Sequence, residues 1–260
     1  MNSEELQLLP LRQTGGATIS IAYRFRKPKE NLPAFFWFCG YRSEMESLKA
    51  DELSRWTASV GAGCLRFDYS GHGRSGGRFE DGTIGAWLGE AAAVYGAAVT
   101  PALPAVFVGS SMGAWIALLL ARRLAEEGRP LPKGMVLIAP AWDMTRLMRA
   151  RLPADARATL ERDGVFHAPS AYSDAPTPIT KALLEDGEHH SLDGSHVRLD
   201  GPIRILHGCQ DPDVPWRHSL DLMNVIAAPD VRLTLIKDGE HRLSRPQDLA
   251  LLRATLAEFV

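Results

Sequence analysis

The chain has 260 residues, 45% of them apolar and 23% charged, with a formal net charge of -2. That is the composition of a soluble globular protein with a large core, most simply a single α/β domain. The near-neutral balance gives no electrostatic footing for nucleic acid or an anionic membrane surface, and no apolar run approaches the roughly 18 residues of a membrane span.

Met1–Gly16 contains Glu4 and Glu5 and has no apolar core. It reads as neither a secretory signal nor an Arg-rich transit peptide. Thr18–Phe25 alternates like a strand, with Ile19, Ile21 and Tyr23 on one face. Pro33–Cys39 is a nearly continuous apolar run, as expected of a strand buried on both faces. Glu44–Val60 reads as a helix, Gly63–Tyr69 as a strand and the Ala-rich Thr83–Val99 as a helix. Ala105–Val108 is a further strand and Ala114–Ala121 a further helix. Met135–Ala139, Ile203–His207 and Arg232–Ile236 read as strands. Pro246–Val260 reads as a terminal helix whose proline sits near its start, where a missing N–H is no loss. The alternation predicts a mostly parallel sheet of about eight strands with helices on both faces. The cysteines Cys39, Cys64 and Cys209 are too few and too scattered for a disulfide framework. Cys39 and Cys64 read as buried free thiols, and a reducing, cytoplasmic compartment is the expectation.

One stretch breaks the rhythm. About 60 residues separate the strand ending near Pro140 from the strand starting at Ile203, where a simple crossover needs a dozen or more. Helical segments (Met144–Leu152, Ala154–Asp163, Ile179–Glu185) alternate there with turn-rich pieces such as Ala175-Pro176-Thr177-Pro178. Trp142, Leu147, Met148, Phe166, Tyr172 and Leu183 supply large apolar side chains. Residues 142–200 are therefore expected to form a cap over the C-terminal edge of the sheet, where open α/β sheets bind ligands. Trp142, Phe166 and Tyr172 are its candidate substrate contacts. The alternative is that these side chains only pack the cap onto the sheet.

The most informative motif is Gly109-Ser110-Ser111-Met112-Gly113, set between a buried strand and a helix. Strand, G-x-S-x-G, helix is a nucleophile elbow, a turn tight enough to hold the serine oxygen clear of the backbone. The competing reading of Ser111 is an ordinary helix N-cap. Acyl transfer at a serine also needs a base, an acid that orients the base, and two N–H donors for the oxyanion. Asp211 and Asp213 follow the Ile203–His207 strand, and His241 follows the Arg232–Ile236 strand. The residue after the nucleophile, Met112, supplies one oxyanion N–H. His189, His190 and His196 cluster in the expected cap, but no Cys or carboxylate spacing completes a metal set. The Gly-rich loop Asp68-Tyr69-Ser70-Gly71-His72-Gly73-Arg74-Ser75 could cradle an anion. No Lys-[ST] follows it and no full G-x-G-x-x-G is present, so a nucleotide site is not expected.

With these motifs in place, the chain from about Phe35 onward resembles the α/β-hydrolase superfamily. The matching residues are the elbow, the D-x-x-G-x-G-x-S run at Asp68–Ser75, and His207-Gly208-Cys209-Gln210-Asp211-Pro212-Asp213-Val214-Pro215, which is similar to an H-G-x-x-D-x-x-V-P signature. Gly40-Tyr41-Arg42-Ser43, Arg66–Gly71, Val108–Gly113, Glu188-His189-His190 and Val214-Pro215-Trp216 further resemble the palmitoyl-protein thioesterase and acyl-glucuronide esterase branch and its bacterial relatives. The resemblance implies a nucleophile at Ser111, an acid at Asp211 with Asp213 as the runner-up, and a base at His241. It implies a second oxyanion donor at Tyr41, where Cys39 stands in place of the usual His of H-G-x. It implies no cofactor and no metal. The expected substrate is a small molecule or an acylated protein carrying an apolar acyl group. A non-hydrolytic ligand receptor on the same fold is the alternative from another class.

Overall fold

In the computed structural model, which describes residues 4–13, 16–170 and 174–260, strands and helices alternate along the chain. The order begins β1 (Leu6–Arg12), β2 (Thr18–Arg26), β3 (Ala34–Phe38), α1 (Leu48–Val60), β4 (Gly63–Phe67) and α2 (Ile84–Ala98). It continues β5 (Ala105–Ser110), α3 (Met112–Glu126) and β6 (Gly134–Ile138). The long connection holds α4 (Met144–Arg151), α5 (Ala154–Asp163), β7 (Val165–Ala168), β8 (Thr177–Thr180), α6 (Lys181–His189) and β9 (Val197–Arg198). The chain closes with β10 (Ile203–Gly208), α7 (Arg217–Val225), β11 (Ile226–Ala227), β12 (Val231–Ile236) and α8 (Pro246–Leu256).

The main sheet has eight strands in the order β1-β2-β4-β3-β5-β6-β10-β12. β1 and β2 pair antiparallel, as do β2 and β4. Every other pair is parallel. Strands β3, β4, β5 and β6 are buried along their whole length. Their nearly continuous apolar runs, interrupted by Arg66 in β4, satisfy two covered faces at once, because helices shield both sides of a parallel sheet. Helix α1 packs with α8 and α2 with α3, and the sheet lies between. Phe36, Phe38, Phe67 and Phe107 form tilted and edge-on pairs at 4.2–6.3 Å in its centre. Such pairs add about 0.5–1.5 kcal/mol each beyond their buried area.

Strand β1 is the element that the sequence pattern does not announce. Leu6 and Leu8 lie exposed, and Pro10 interrupts the run, which is tolerated only because β1 is an edge strand. It is held by long-range bonds: Glu4 receives Arg26 and Arg66, both half-buried or buried. The thiols of Cys39 and Cys64 are buried and free, and Cys209 is free and half-buried.

The long connection builds a small core of its own from Leu152, Ala156, Leu160, Ile179 and Leu184. The predicted helix at Ile179 starts later, because Ile179 belongs to β8 and the Thr180 hydroxyl caps α6 by accepting from Leu183 N at 3.1 Å. The pairing of β7 with β8 and the helix α7 are further elements not read from the sequence. The Asp143 carboxylate ties the ends of the segment together, accepting from Ser191 Oγ at 2.6 Å and Leu192 N at 2.9 Å. Gly85 N donates to Asp186 across to α2 at 2.7 Å.

Candidate active site

Strand β5 delivers Ser111 in a strained turn. Its φ is 54° and ψ is -120°, outside the regions an ordinary non-glycine residue occupies. The flanking glycines make that turn possible. A Cβ on Gly109 would lie 2.6 Å from Ala114 Cα, and one on Gly113 would lie 2.1 Å from the Phe38 carbonyl oxygen. Ser111 makes no side-chain cap to α3, so the N-cap reading fails. Its Oγ lies 3.0 Å from His241 Nε2.

His241 Nδ1 lies 2.7 Å from Asp211 Oδ2. The Asp211 side chain is fully buried and that of His241 is 14% exposed. Burial alone would raise the Asp211 carboxyl. Hydrogen bonds from His207 and His241, the charge of His241 and the Val214 N–H outweigh it and hold the carboxyl well below the usual carboxylate range. An ionised carboxylate only accepts, so the His241 hydrogen sits on Nδ1 and Nε2 faces the serine. Asp211 Oδ1 accepts the backbone N–H groups of Asp213 and Val214, each at 2.8 Å. Thus Asp211 rather than Asp213 bonds to His241.

Neighbouring and remote side chains hold these loops. His207 Nε2 lies 3.0 Å from Val214 O and 3.3 Å from Asp211 Oδ2. Lys49 of α1 donates to the Arg242 carbonyl, one residue past His241. Burial pushes its ammonium down to about 8. Arg245 grips Asp238 and Asp248, closing the loop that carries His241. Only His207 has a local signal, its H-G turn. Lys49 acts across a distance that no short motif records.

The oxyanion candidates come from two backbone segments. Met112 is the first residue of α3, where an N–H has no intrahelical acceptor. The β3–α1 loop runs directly against the elbow: a Cβ on Gly40 would lie 3.2 Å from Ser110 O and 3.4 Å from Ser111 Cβ. Tyr41 follows, its ring 4.9 Å from Phe79 and 6.0 Å from Trp87. Its hydroxyl donates to Pro178 O in β8 at 2.7 Å. Arg42 Nη1 donates to Ala175 O, Pro176 O and Thr177 Oγ1. From α4, Arg151 donates to Asp213 O at 2.6 Å. The segment between β6 and β10 therefore bonds to loops at the C-terminal ends of β3 and β10.

Of the substrate candidates, Trp142 donates from its indole to His218 O at 2.9 Å and stacks on the His218 ring at 4.5 Å. Phe166 packs against the segment's own small core. Tyr172 lies outside the described residues. Among the described residues, Asp211, Asp213 and His241 form a group close enough to share a cation. Asp211 Oδ1 and Oδ2 and His241 Nδ1 are already engaged in the bonds above, which fits a proton relay better than a metal cradle. The histidines of the 189–196 stretch form no such group.

Residues 33–251 match the alpha/beta hydrolase family, and the chain belongs to that family. Its eight-stranded, mostly parallel sheet with flanking helices is the α/β-hydrolase fold. Among curated proteins, the human mitochondrial palmitoyl-protein thioesterase ABHD10 is 31% identical over 237 residues, 91% of this chain and 76% of the relative. A putative hydrolase from Agrobacterium vitis S4 superposes with a TM-score of 0.93 at 44% identity, covering 98% of each chain. Mouse alpha/beta hydrolase domain-containing protein 10 superposes with a TM-score of 0.84 at 31% identity over 97% of each chain.

Proposed function

We propose that this protein is a serine hydrolase that cleaves carboxylic esters or acyl thioesters through an acyl-enzyme, as an acyl-protein thioesterase or carboxylesterase. The observation that carries the reading is the continuous relay from Ser111 Oγ through His241 to Asp211, at 3.0 and 2.7 Å. Ser111 attacks the acyl carbon while His241 Nε2 takes its proton. Asp211 fixes the imidazole orientation and stabilises the imidazolium that forms. The Tyr41 and Met112 N–H groups receive the oxyanion. His241 returns the proton to the departing alcohol or thiol. Water, activated by the same imidazole, then releases the acid and restores Ser111.

Residues 142–200 act as a cap that admits an apolar acyl group, on a small molecule or an acylated protein. Similarity over nine-tenths of the chain to a palmitoyl-protein thioesterase supports the thioester option. The three free cysteines fit a reducing compartment such as the cytoplasm. The experiment is labelling by a fluorophosphonate, with the modified peptide mapped, followed by turnover of p-nitrophenyl esters and acyl-cysteine thioesters. Label on Ser111 together with turnover upholds the reading. Label without turnover of any ester or thioester would instead mark a ligand receptor.

A further inference from the structure

His72 stands in the glycine-rich loop after β4 and is only 4% exposed. Its Nδ1 lies 3.0 Å from Ser70 O, and its Nε2 lies 3.3 Å from Arg42 N. A carbonyl can only accept and an amide N–H can only donate. The two partners therefore fix the ring as neutral, with its hydrogen on Nδ1 and Nε2 accepting from Arg42. Burial works in the same direction, pushing the imidazole down to about 4. The rings of Tyr69, Phe79 and Trp87, at 5.0–5.7 Å, wall the imidazole in.

The residue it holds is unusual. Arg42 has φ 57°, in the left-handed region that favours glycine. Two sets of bonds keep it there: its N–H on His72, and its guanidinium on Ala175, Pro176 and Thr177. Arg42 directly follows Tyr41. Gly40 O accepts from Ser43 N at 3.0 Å, so Tyr41 and Arg42 are the central pair of one β-turn, and a shift of Arg42 displaces the turn that carries the Tyr41 N–H.

We infer that His72 is a positioning residue for the oxyanion hole: by accepting from Arg42 N–H it pins the Gly40–Ser43 turn that carries the Tyr41 N–H. The inference rests on the serine-hydrolase reading above. An oxyanion donor acts at 2.7–3.1 Å from where the charge develops, so a modest rotation weakens it. The bond matters mainly in the transition state, so its loss lowers kcat and spares KM.

Two variants separate this role from plain structural support. In His72→Gln the side-chain oxygen reaches the position of Nε2 and can accept from Arg42. In His72→Asn the shorter amide reaches only the position of Nδ1, keeping Ser70 and abandoning Arg42. With active-site concentrations set by phosphonate titration, His72→Asn should lose about 10- to 100-fold in kcat, less than or near the loss of a whole donor. KM should stay within about threefold, and His72→Gln should recover kcat to within about tenfold of the unaltered enzyme. Equal losses in both variants, a loss confined to KM, or full kcat in His72→Asn would overturn the proposal. If His72→Asn does not fold, nitrogen NMR of the unaltered protein decides. The hydrogen of His72 should be on Nδ1, and a ring carrying it on Nε2 cannot accept from Arg42 and ends the proposal. Absence of turnover in the unaltered enzyme would instead defeat the hydrolase reading, leaving the NMR result to stand by itself.

Discussion

His207 Nε2 lies 3.3 Å from Asp211 Oδ2, in a pocket where both side chains are fully buried. Asp211 Oδ2 is thus approached by two imidazoles, His207 and His241. Val214 O can only accept, so the His207 Nε2 carries a hydrogen and His207 Nδ1 accepts from Ser219 Oγ at 2.6 Å. His207 braces the same carboxylate oxygen that His241 meets.

His207→Phe removes that brace and leaves Ser219 Oγ and Val214 O without their partner. Each buried orphan costs about 1–3 kcal/mol. The variant should unfold several degrees below the unaltered protein and lose activity even where it is folded. Thermal unfolding and kcat/KM on the same preparation check both halves. An unchanged melting temperature would contradict the account of this network.

Asp211→Asn should damage catalysis far more than Asp213→Asn. An amide at the orienting position can favour the wrong imidazole tautomer, an effect of about 10⁴ in a serine protease triad. Asp213 reaches Asp211 through its backbone N–H, which the substitution leaves in place. Steady-state kinetics of both variants decide the matter, and a greater loss in Asp213→Asn would reverse the assignment.

His72 makes a prediction about acid stability. Its folded value, about 4, lies below the ordinary 6.5. Between those values the unfolded chain binds more protons, so stability falls as pH drops from 6.5 towards 4. The contribution lost across the window is about 3 kcal/mol. Chemical denaturation at several pH values, comparing the unaltered protein with His72→Gln, isolates it from the carboxylates. The difference between the two curves should be flat above pH 6.5 and should narrow in the variant's favour below it. A constant difference down to pH 4 would show that His72 takes up its proton freely in the folded state.

Much of this was legible in the sequence. Gly109, Ser111 and Gly113 announce the elbow because the geometry is local: each glycine is required by a contact within the turn or with the adjoining strand end. The central strands are legible because burial on both faces makes them almost wholly apolar, with Arg66 of β4 the charged exception. Asp211 and His241 could be found by their place after strands. The choice between Asp211 and Asp213 could not be made on spacing alone, because it turns on which carboxylate meets His241. Strand β1 stayed hidden because its apolar side chains are exposed or only half-buried and Pro10 breaks its pattern. Lys49 and Arg151 stayed hidden for another reason: each holds a backbone carbonyl beside a candidate site residue from elsewhere in the chain, and that relation leaves no spacing. Phe166 reads as a pocket residue by its size, yet its neighbours belong to the segment's own core.

The proposed cap makes a measurable claim about substrates. Each methylene buried in an apolar site contributes about 0.8 kcal/mol, nearly fourfold in affinity. Across acetyl, butyryl, octanoyl and longer p-nitrophenyl esters, kcat/KM should climb until the site is full and then level off or fall. A steady decline from acetyl onward would mean that the apolar side chains of residues 142–200 only pack the segment together.

The most direct test of the central claim is turnover by Ser111→Ala. The substitution removes one oxygen from a turn whose shape is set by Gly109, Gly113 and the backbone, so the variant should fold and melt like the unaltered protein. Loss of a triad nucleophile lowers kcat by about 10⁶, and ester or thioester hydrolysis should fall to background. A folded Ser111→Ala preparation, free of contaminating esterase, that retains activity within tenfold of the unaltered enzyme would contradict the account.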